Sequence, residues 1–540
     1  MVQEKIPYHL SSYLNEIKKN GGMSPRHVKK LTDDDRKLSS PNLVYPIGNL
    51  AYIHIDASNV TGDMYPKYNI ILPRPVDDYL FEAIEKKFAK DNAENQPPPT
   101  EKEKLALIDQ YLDKICKLTN ENLTYKNLEK ASSISVNVND FQSLKYYFKR
   151  KRIGLDLLEP YLTDPYLEDI SMVGEGGSFV VHKMFGPLRV TQKLNNTEVE
   201  QMLVTMAEQF GKSISNAQPV IDARLPDGSR INIVFGEDIS IRGTNLTIRR
   251  FAGIPISITQ LINYGTIDAQ SAAYLWMLLN QGMSMFVCGE TASGKTTTLT
   301  AVTSFINPIL KIVSIEDTPE ITLPHKNWAN EVTRDTGNVK STISMQDLLK
   351  ASLRQRPNYI IVGEIRGVEA SVAFQAMQTG HPVMSTFHAG SVDSLTQRLV
   401  NDPINIPKSN IDNLNIVLIQ GAVTGKSGRL ERRVLSINEI TGFDGNANSV
   451  IFSPIFSWDP ETDTVNFTGR GTSSLFKDKL LMMRGMSAND EIKLYDEMDQ
   501  RMDILNHLIE KKVFNYYEVF EQLAMANEMG IEEYVRKVGI

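Results

Sequence analysis

Gly289-Glu290-Thr291-Ala292-Ser293-Gly294-Lys295-Thr296-Thr297 fits the pattern G-x-x-x-x-G-K-[ST], and it restricts what this 540-residue chain can fold into more than any other stretch. An uncharged apolar run at 285–288 precedes it. Leu299, Val302 and Ile306 follow at helical spacing, so the context is strand, loop, helix. Successive backbone N–H groups and the helix N-terminus of such a loop point at phosphates, Lys295 reaches the β and γ oxygens, and the Thr296 hydroxyl can ligate Mg²⁺. Taken alone, the loop implies nucleoside triphosphate binding.

Length predicts two to four domains. Hydrophobic residues at 41% and charged residues at 23% are ordinary for a globular chain, and a net charge of −7 argues against a surface built for nucleic acid. Cys116 and Cys288 are the only cysteines, which excludes a disulfide framework and a four-cysteine zinc site and predicts a reducing, cytoplasmic setting. The first twenty residues hold no long apolar run, so no secretory signal is expected. Residues 269–289 carry no charge, but Gln270, Asn280, Gln281 and Gly282 interrupt them, and they divide into a buried helix and the strand that feeds the loop.

The predicted organisation begins with a mobile basic tail at 1–42, holding at most one short helix. An N-terminal α/β and helical subdomain follows at 43–152, with a polar loop at 57–66 and a linker at 91–100. The run Lys149-Arg150-Lys151-Arg152 reads as a helix C-terminus, where cations complement the dipole. An arginine-bearing α/β domain is expected at 153–251, with strands at 179–182, 231–234 and 246–248 and a helix at 198–210. A hinge or linker is expected at 252–266. From 267 to 540, predicted strands at 285–288, 311–315, 359–362 and 383–387 alternate with helices at 297–306, 344–354, 368–379 and 391–400, which means a parallel-dominated sheet covered on both faces. One more strand is expected at 435–440, and a helical C-terminal region from 488.

Several clusters could carry chemistry. Ile312 to Glu320 places Glu316, Asp317 and Glu320 where a buried strand opens into a loop, the end at which ligands bind in open α/β sheets. Tyr359 to Arg366 is an apolar strand ending in Glu364, the layout of a Mg²⁺-binding or water-activating acid beside a phosphate loop. His381 and His388 close the two ends of a third strand. With no cysteine nearby a zinc site is not expected, and His388 reads as a phosphate donor or as a core histidine. Arg224 and Arg230 flank the turn Pro226-Asp227-Gly228, and Arg249 and Arg250 end a strand. Arginines so placed can donate bidentate bonds to developing phosphate charge, although the turn is equally a plain hairpin.

With these residues in view the chain resembles the secretion ATPase superfamily of type II secretion, type IV pili and type IV secretion. Five motifs occur in that family's order: RLPDGSR with TIRRF, GETASGKTT, IEDTPE, RQRPNYIIVGEIRG and TFHAG. Their wording, with the tail EKKVFNYYEVF, is most similar to the archaeal branch that includes the archaellum motor ATPase. The resemblance implies a RecA-like P-loop ATPase domain preceded by smaller α/β domains, working as a homo-hexamer with ATP held between domains. It implies that Lys295 and Thr296 bind phosphate and Mg²⁺, that Glu316 and Glu364 share the water-activating and metal roles, that His388 senses the γ-phosphate, and that Arg224, Arg230 and Arg249 act as fingers. Which glutamate is the base stays open. The implied partners are a polytopic membrane platform protein of a pilus or archaellum machine and accessory cytoplasmic ring proteins, with the enzyme peripheral at the inner face of the cytoplasmic membrane. The tetracysteine module of many bacterial members is missing, so no structural zinc is implied. A nucleic-acid translocating motor is the competing reading, and the absence of an extended basic, aromatic-rich groove speaks against it.

Overall fold

The computed structural model describes residues 6–540 except 37, 39, 58–64, 93–97, 99, 122, 124, 126, 127, 129, 130, 132, 175, 176, 210–213, 252, 335–340 and 426–429. Most of the expected loop at 57–66, most of the linker at 91–100 and the first hinge residue, 252, therefore lie outside the described residues. The chain divides into two compact units, 1–251 and 252–540.

The first unit is built on strands β1 (Arg26–His27), β2 (Asn42–Ile47), β3 (Ala51–Asp56), β4 (Lys67–Ile71), β5 (Cys116–Thr119), β6 (Ile134–Asn137), β7 (Leu167–Val173), β8 (Ser178–His182), β9 (Gly186–Val190), β10 (Val220–Arg224), β11 (Arg230–Val234) and β12 (Asn245–Arg249). Its helices include α1 (Tyr8–Lys19), α2 (Asp78–Asp91), α3 (Glu101–Ile115), α4 (Val138–Arg152) and α5 (Asn196–Gln209). Ten strands form one sheet in the order β1-β2-β3-β4-β9-β8-β7-β12-β11-β10, while β5 and β6 pair separately.

Two expectations need correction here. The described part of the segment expected as a mobile tail is folded. In α1, Leu10 is buried against Val44 and Ile71, with Tyr13 and Leu14 packed beside it, and β1 adds in parallel to β2. The spacing of Leu10, Tyr13 and Leu14 is an apolar helix stripe whose partner lies some thirty to sixty residues on, so local composition hides it. The expected boundary at 152/153 does not divide the sheet either, because β4 pairs in parallel with β9 through Lys67↔Arg189 and Tyr68↔Val190. What does stand apart is a helical cluster around β5 and β6, where Leu80, Ile108, Leu112, Leu144 and Phe148 form their own core. The basic run ends α4, and its charges are matched: Lys149 to Asp109 at 2.6 Å, Arg150 to Asp156 at 3.2 Å, Lys151 to Glu85 at 3.1 Å.

The second unit contains β13 (Met285–Gly289), β14 (Ile312–Glu316), β15 (Trp328–Val332), β16 (Tyr359–Glu364), β17 (Val383–Phe387), β18 (Ile416–Thr424), β19 (Leu430–Asp444), β20 (Ser449–Asp459) and β21 (Thr464–Phe467). Its helices include α6 (Ala269–Leu279), α7 (Lys295–Val302), α8 (Met345–Leu353), α9 (Glu369–Gln378), α10 (Val392–Val400), α11 (Glu491–Glu510), α12 (Tyr516–Met529) and α13 (Ile531–Val538). The sheet order is β15-β14-β16-β17-β13-β18-β19-β20-β21. Pairing is parallel from β15 through β18 and antiparallel from β18 to β21. This is the parallel-dominated α/β arrangement that the alternating pattern predicts, extended by an antiparallel margin of which only a fragment at 435–440 was anticipated.

Strand β13 shows why the parallel core forms. All five residues are buried; Met285 and Val287 enter the core on one side, Phe286 and Cys288 the core on the other. Such a strand has no face for water, so a continuous apolar run is what it requires. Segment 269–289 resolves into α6, capped by Asp268 and buried from Ser271 to Leu279, followed by β13. Among the described residues no helix is long and apolar enough to cross a membrane. Trp276 anchors α6: its ring stacks on Phe305 at 5.8 Å, its Nε1 donates to Asn527 Oδ1 at 3.2 Å, and the Arg501 guanidinium lies 4.4 Å above it. Trp276→Ala is expected to destabilise the protein by about 3–5 kcal/mol, read by urea unfolding of the full chain, through the lost burial and the cavity left behind.

Candidate nucleotide site

The phosphate loop leaves the carboxyl end of β13 and closes on itself. Ala292 has φ +62° and Gly294 φ +92°, so the backbone turns through the left-handed region just before α7 begins at Lys295. Ser293 Oγ and Lys295 Nζ both donate to the Glu290 carbonyl, at 2.9 and 2.8 Å. Lys295 is buried, and Glu290, Thr291 and Ala292 form the exposed crest, with Thr296 and Thr297 half-buried in the first helical turn. Gly289 is dictated by contact: a Cβ there would lie 2.2 Å from the Gln420 carbonyl of β18 and 2.6 Å from Ser293 Oγ.

The carboxyl ends of the neighbouring parallel strands deliver the other groups. Glu364 ends β16. Its Oε2 accepts from Arg366 Nη2 at 2.6 Å, and its Oε1 lies 2.9 Å from His388 Nε2, just past β17. Burial pushes the Glu364 carboxyl up, but the Arg366 hydrogen bond and charge, joined by His388 and Lys295, pull it below its ordinary value. Burial lowers His388, and the Lys295 charge lowers it further against the opposing pull of Glu364. At neutral pH the pair is therefore a neutral imidazole beside an ionised carboxylate.

Glu316, at the end of β14, is held differently. It is 2% exposed, and its Oε1 accepts from the backbone N–H of Glu320 and Ile321, at 2.8 and 3.0 Å. A Cβ on Gly363 would sit 3.0 Å from Glu316 Cγ, so the two strand ends touch. Asp317, exposed, accepts from Thr333 Oγ1 at 3.0 Å. Glu316 itself thus caps the turn that follows β14. Sequence reasoning assigned no role to Arg366; its signal was the arginine two residues past the strand-ending acid.

In the first unit, Arg224 pairs with Arg230 across the β10–β11 hairpin and Arg230 with Arg249 across β11–β12, so three exposed arginines stand in one cross-strand row. Asp169 of β7 is in register with Arg249, and Arg230 reaches Asp222 at 3.5 Å. The turn between the first two is the expected hairpin: Gly228 has φ +90°, and Asp227 accepts from the Ser229 N–H and hydroxyl at 3.0 and 2.8 Å.

A model of the family described as type II/IV secretion system protein matches residues 187–426. An uncharacterized protein of Methanocaldococcus jannaschii is 41% identical over 531 residues, covering 97% of this chain and 96% of the relative. The chain belongs to the type II/IV secretion system protein family. It is similar over a shorter span to the protein VirB11 of Agrobacterium fabrum, 26% identical across 44% of this chain and 77% of that one. Among solved structures, the Legionella pneumophila ATPase DotB is 18% identical with a TM-score of 0.38, covering 69% of this chain and 95% of that chain.

Like charges directly opposite one another in a sheet are unfavourable, so the arginine row costs stability. Arg230→Thr is expected to stabilise the protein by about 0.2–1 kcal/mol at low salt, because the exposed Asp222 pair it loses is worth little. Urea melts at low and high ionic strength would check this: the gain should shrink as salt screens the row.

Proposed function

We propose that this protein hydrolyses ATP with Mg²⁺ and uses the energy to assemble or rotate an extracellular type IV pilus-like filament or archaellum. The observation that carries the reading is the meeting of Lys295, Glu364 and His388 at the carboxyl edge of the parallel sheet, where their charges act on one another. A bare phosphate loop binds; an ionised acid beside it can also accept a proton from water.

The Thr296 hydroxyl and the Glu364 carboxylate are hard oxygen donors, the kind that bind Mg²⁺ alongside substrate phosphates, and both stand at this edge. Bound there, the ion would neutralise phosphate charge. Residues 289–297 cradle the phosphates, with Lys295 leaving the Glu290 carbonyl for the β and γ oxygens. Glu364 takes the proton of the attacking water, and neutral His388, its Nε2 2.9 Å from that carboxylate, is placed to offer a ring N–H to the γ-phosphate. Glu316, with one oxygen fixed by two amides, shapes the loop at 317–321. Arg224, Arg230 and Arg249 are the proposed fingers, supplying bidentate donors to phosphate oxygens. The enzyme would act as a homo-hexamer, peripheral at the inner face of the cytoplasmic membrane, on a polytopic platform protein and with accessory ring proteins.

Lys295→Ala should abolish ATP turnover by the full chain; retained turnover would remove the phosphate loop from the mechanism. Arg366→Ala tests the acid. Because burial raises Glu364 and Arg366 is the leading group that lowers it, the variant's carboxyl should titrate higher. The ionised base is present above its pKa and lost as pH falls through it, so the acid limb of kcat/KM should move to higher pH. An acid limb that stays where it was would exclude Glu364 as the base.

A further inference from the structure

Two side chains on the far flank of the phosphate loop have no part in the mechanism above. Gln420 of β18 is paired with Gly289 of β13, is 2% exposed, and lies with its Nε2 3.0 Å from the position a Cβ on Gly294 would take. Its Oε1 is buried and meets no hydrogen-bond donor among the described residues. Arg432 of β19 reaches the same glycine, its Cγ 3.7 Å from that position.

The next residue makes Arg432 informative. Arg433, on the opposite face of the strand, is buried and donates to both oxygens of Asp463 at 2.8 and 3.0 Å, to Glu431, and to the Tyr264 carbonyl. The Arg432 guanidinium makes no ion pair or hydrogen bond with any described residue. It is half-buried, with its Cγ beside Gly294, the residue that precedes the positive N-terminal end of α7. A guanidinium set against a helix N-terminus is repelled by its dipole until an anion enters between them.

We propose that Arg432, braced by Gln420, is a nucleotide-binding residue that grips the α- and β-phosphate end of a nucleoside di- or triphosphate. This rests on the reading of residues 289–297 as a phosphate cradle. The assignment to that end follows from sheet order. Glu316, Glu364 and His388 come from β14, β16 and just past β17, all on one side of β13, whereas Gln420 and Arg432 come from β18 and β19 on the other. The bond to be broken lies toward the acids, so Arg432 holds the portion that ADP and ATP share. When the guanidinium closes on phosphate, one of its five N–H groups can satisfy Gln420 Oε1, which gives the buried acceptor its donor.

The test is equilibrium binding of Mg-ATP and Mg-ADP to the full chain, with steady-state kinetics and thermal unfolding, for Arg432→Ala, Arg432→Lys and Lys295→Ala. For Arg432→Ala both dissociation constants should rise about tenfold, the worth of one charge-assisted bond. KM should rise with them, kcat should fall less than KM rises, and the melting temperature of the nucleotide-free variant should be no lower than that of the parent. Arg432→Lys should recover part of the affinity, keeping charge but not the fork. Unchanged affinities in Arg432→Ala beside lost binding in Lys295→Ala would overturn the proposal while leaving the cradle intact, as would a loss confined to ATP. Undiminished binding in Lys295→Ala would overturn the cradle and this proposal together.

Discussion

The approach of β13 to β18 at Gly289 sets the geometry of everything around it. Gly289 pairs with Gln420 so closely that no side chain fits between them, and the loop turns away from the sheet only because Gly294 can occupy positive φ. With β13 held between β17 and β18, parallel pairing brings the ends of β14, β16 and β17 to the same edge. Parallel strands need both faces buried, which is why the acids and the histidine appear only where the apolar runs stop. The site is thus a consequence of burial: polar groups concentrate where the sheet can no longer hide them.

At that edge two glutamates of similar sequence context experience different fields. Glu364 is drawn toward ionisation by an exposed arginine, a half-buried histidine and a lysine, each of which can change partner when phosphate arrives. Glu316 spends one oxygen on two backbone amides, bonds that a ligand does not exchange without unfolding the turn at 317–321. Under the proposed hydrolysis, exchangeable partners suit a proton acceptor and fixed ones suit a group that keeps the loop in shape. Asymmetry between paired acids of this kind is how one site keeps two roles apart.

The parallel core and the loop were legible because both leave strong local marks: uncharged runs of strand length, helix-spaced apolar residues between them, and glycines where only glycine fits. The three-arginine row was half legible. Arg224 and Arg230 stand at the two ends of a visible turn, but their register with Arg249 depends on a strand pairing across some twenty residues. The folding of 8–36 and the antiparallel margin β19–β21 were not legible for a shared reason. Leu10 packs on Val44 and Ile71, while Ile437, Ile455 and Phe456 join the core of α6; in each case the apolar residue looks unremarkable until its distant partner is known. The sequence at 430–467 is also broken by Pro454 and by bulges near Asn438 and Gly442, which interrupt the alternation that would announce a strand.

Positive charge in this chain is therefore uninformative by count and informative by pairing. The run at 149–152 looks most like a binding patch in the sequence, yet Asp109, Glu85 and Asp156 answer it, and it terminates a helix whose dipole favours cations. Arg433 is likewise consumed, by Asp463 and Glu431. The arginine row places like charges opposite one another even with Asp222 beside Arg230, and Arg432 stands against a helix N-terminus. Self-repulsion of this kind is tolerated where an anion of several charges relieves it on binding, since the same groups then contribute attraction that was unavailable before. Under the proposed function that anion is a nucleoside triphosphate whose charge hydrolysis divides, and the fields that make these residues unfavourable in the empty protein would be the ones through which ATP, ADP and phosphate are told apart.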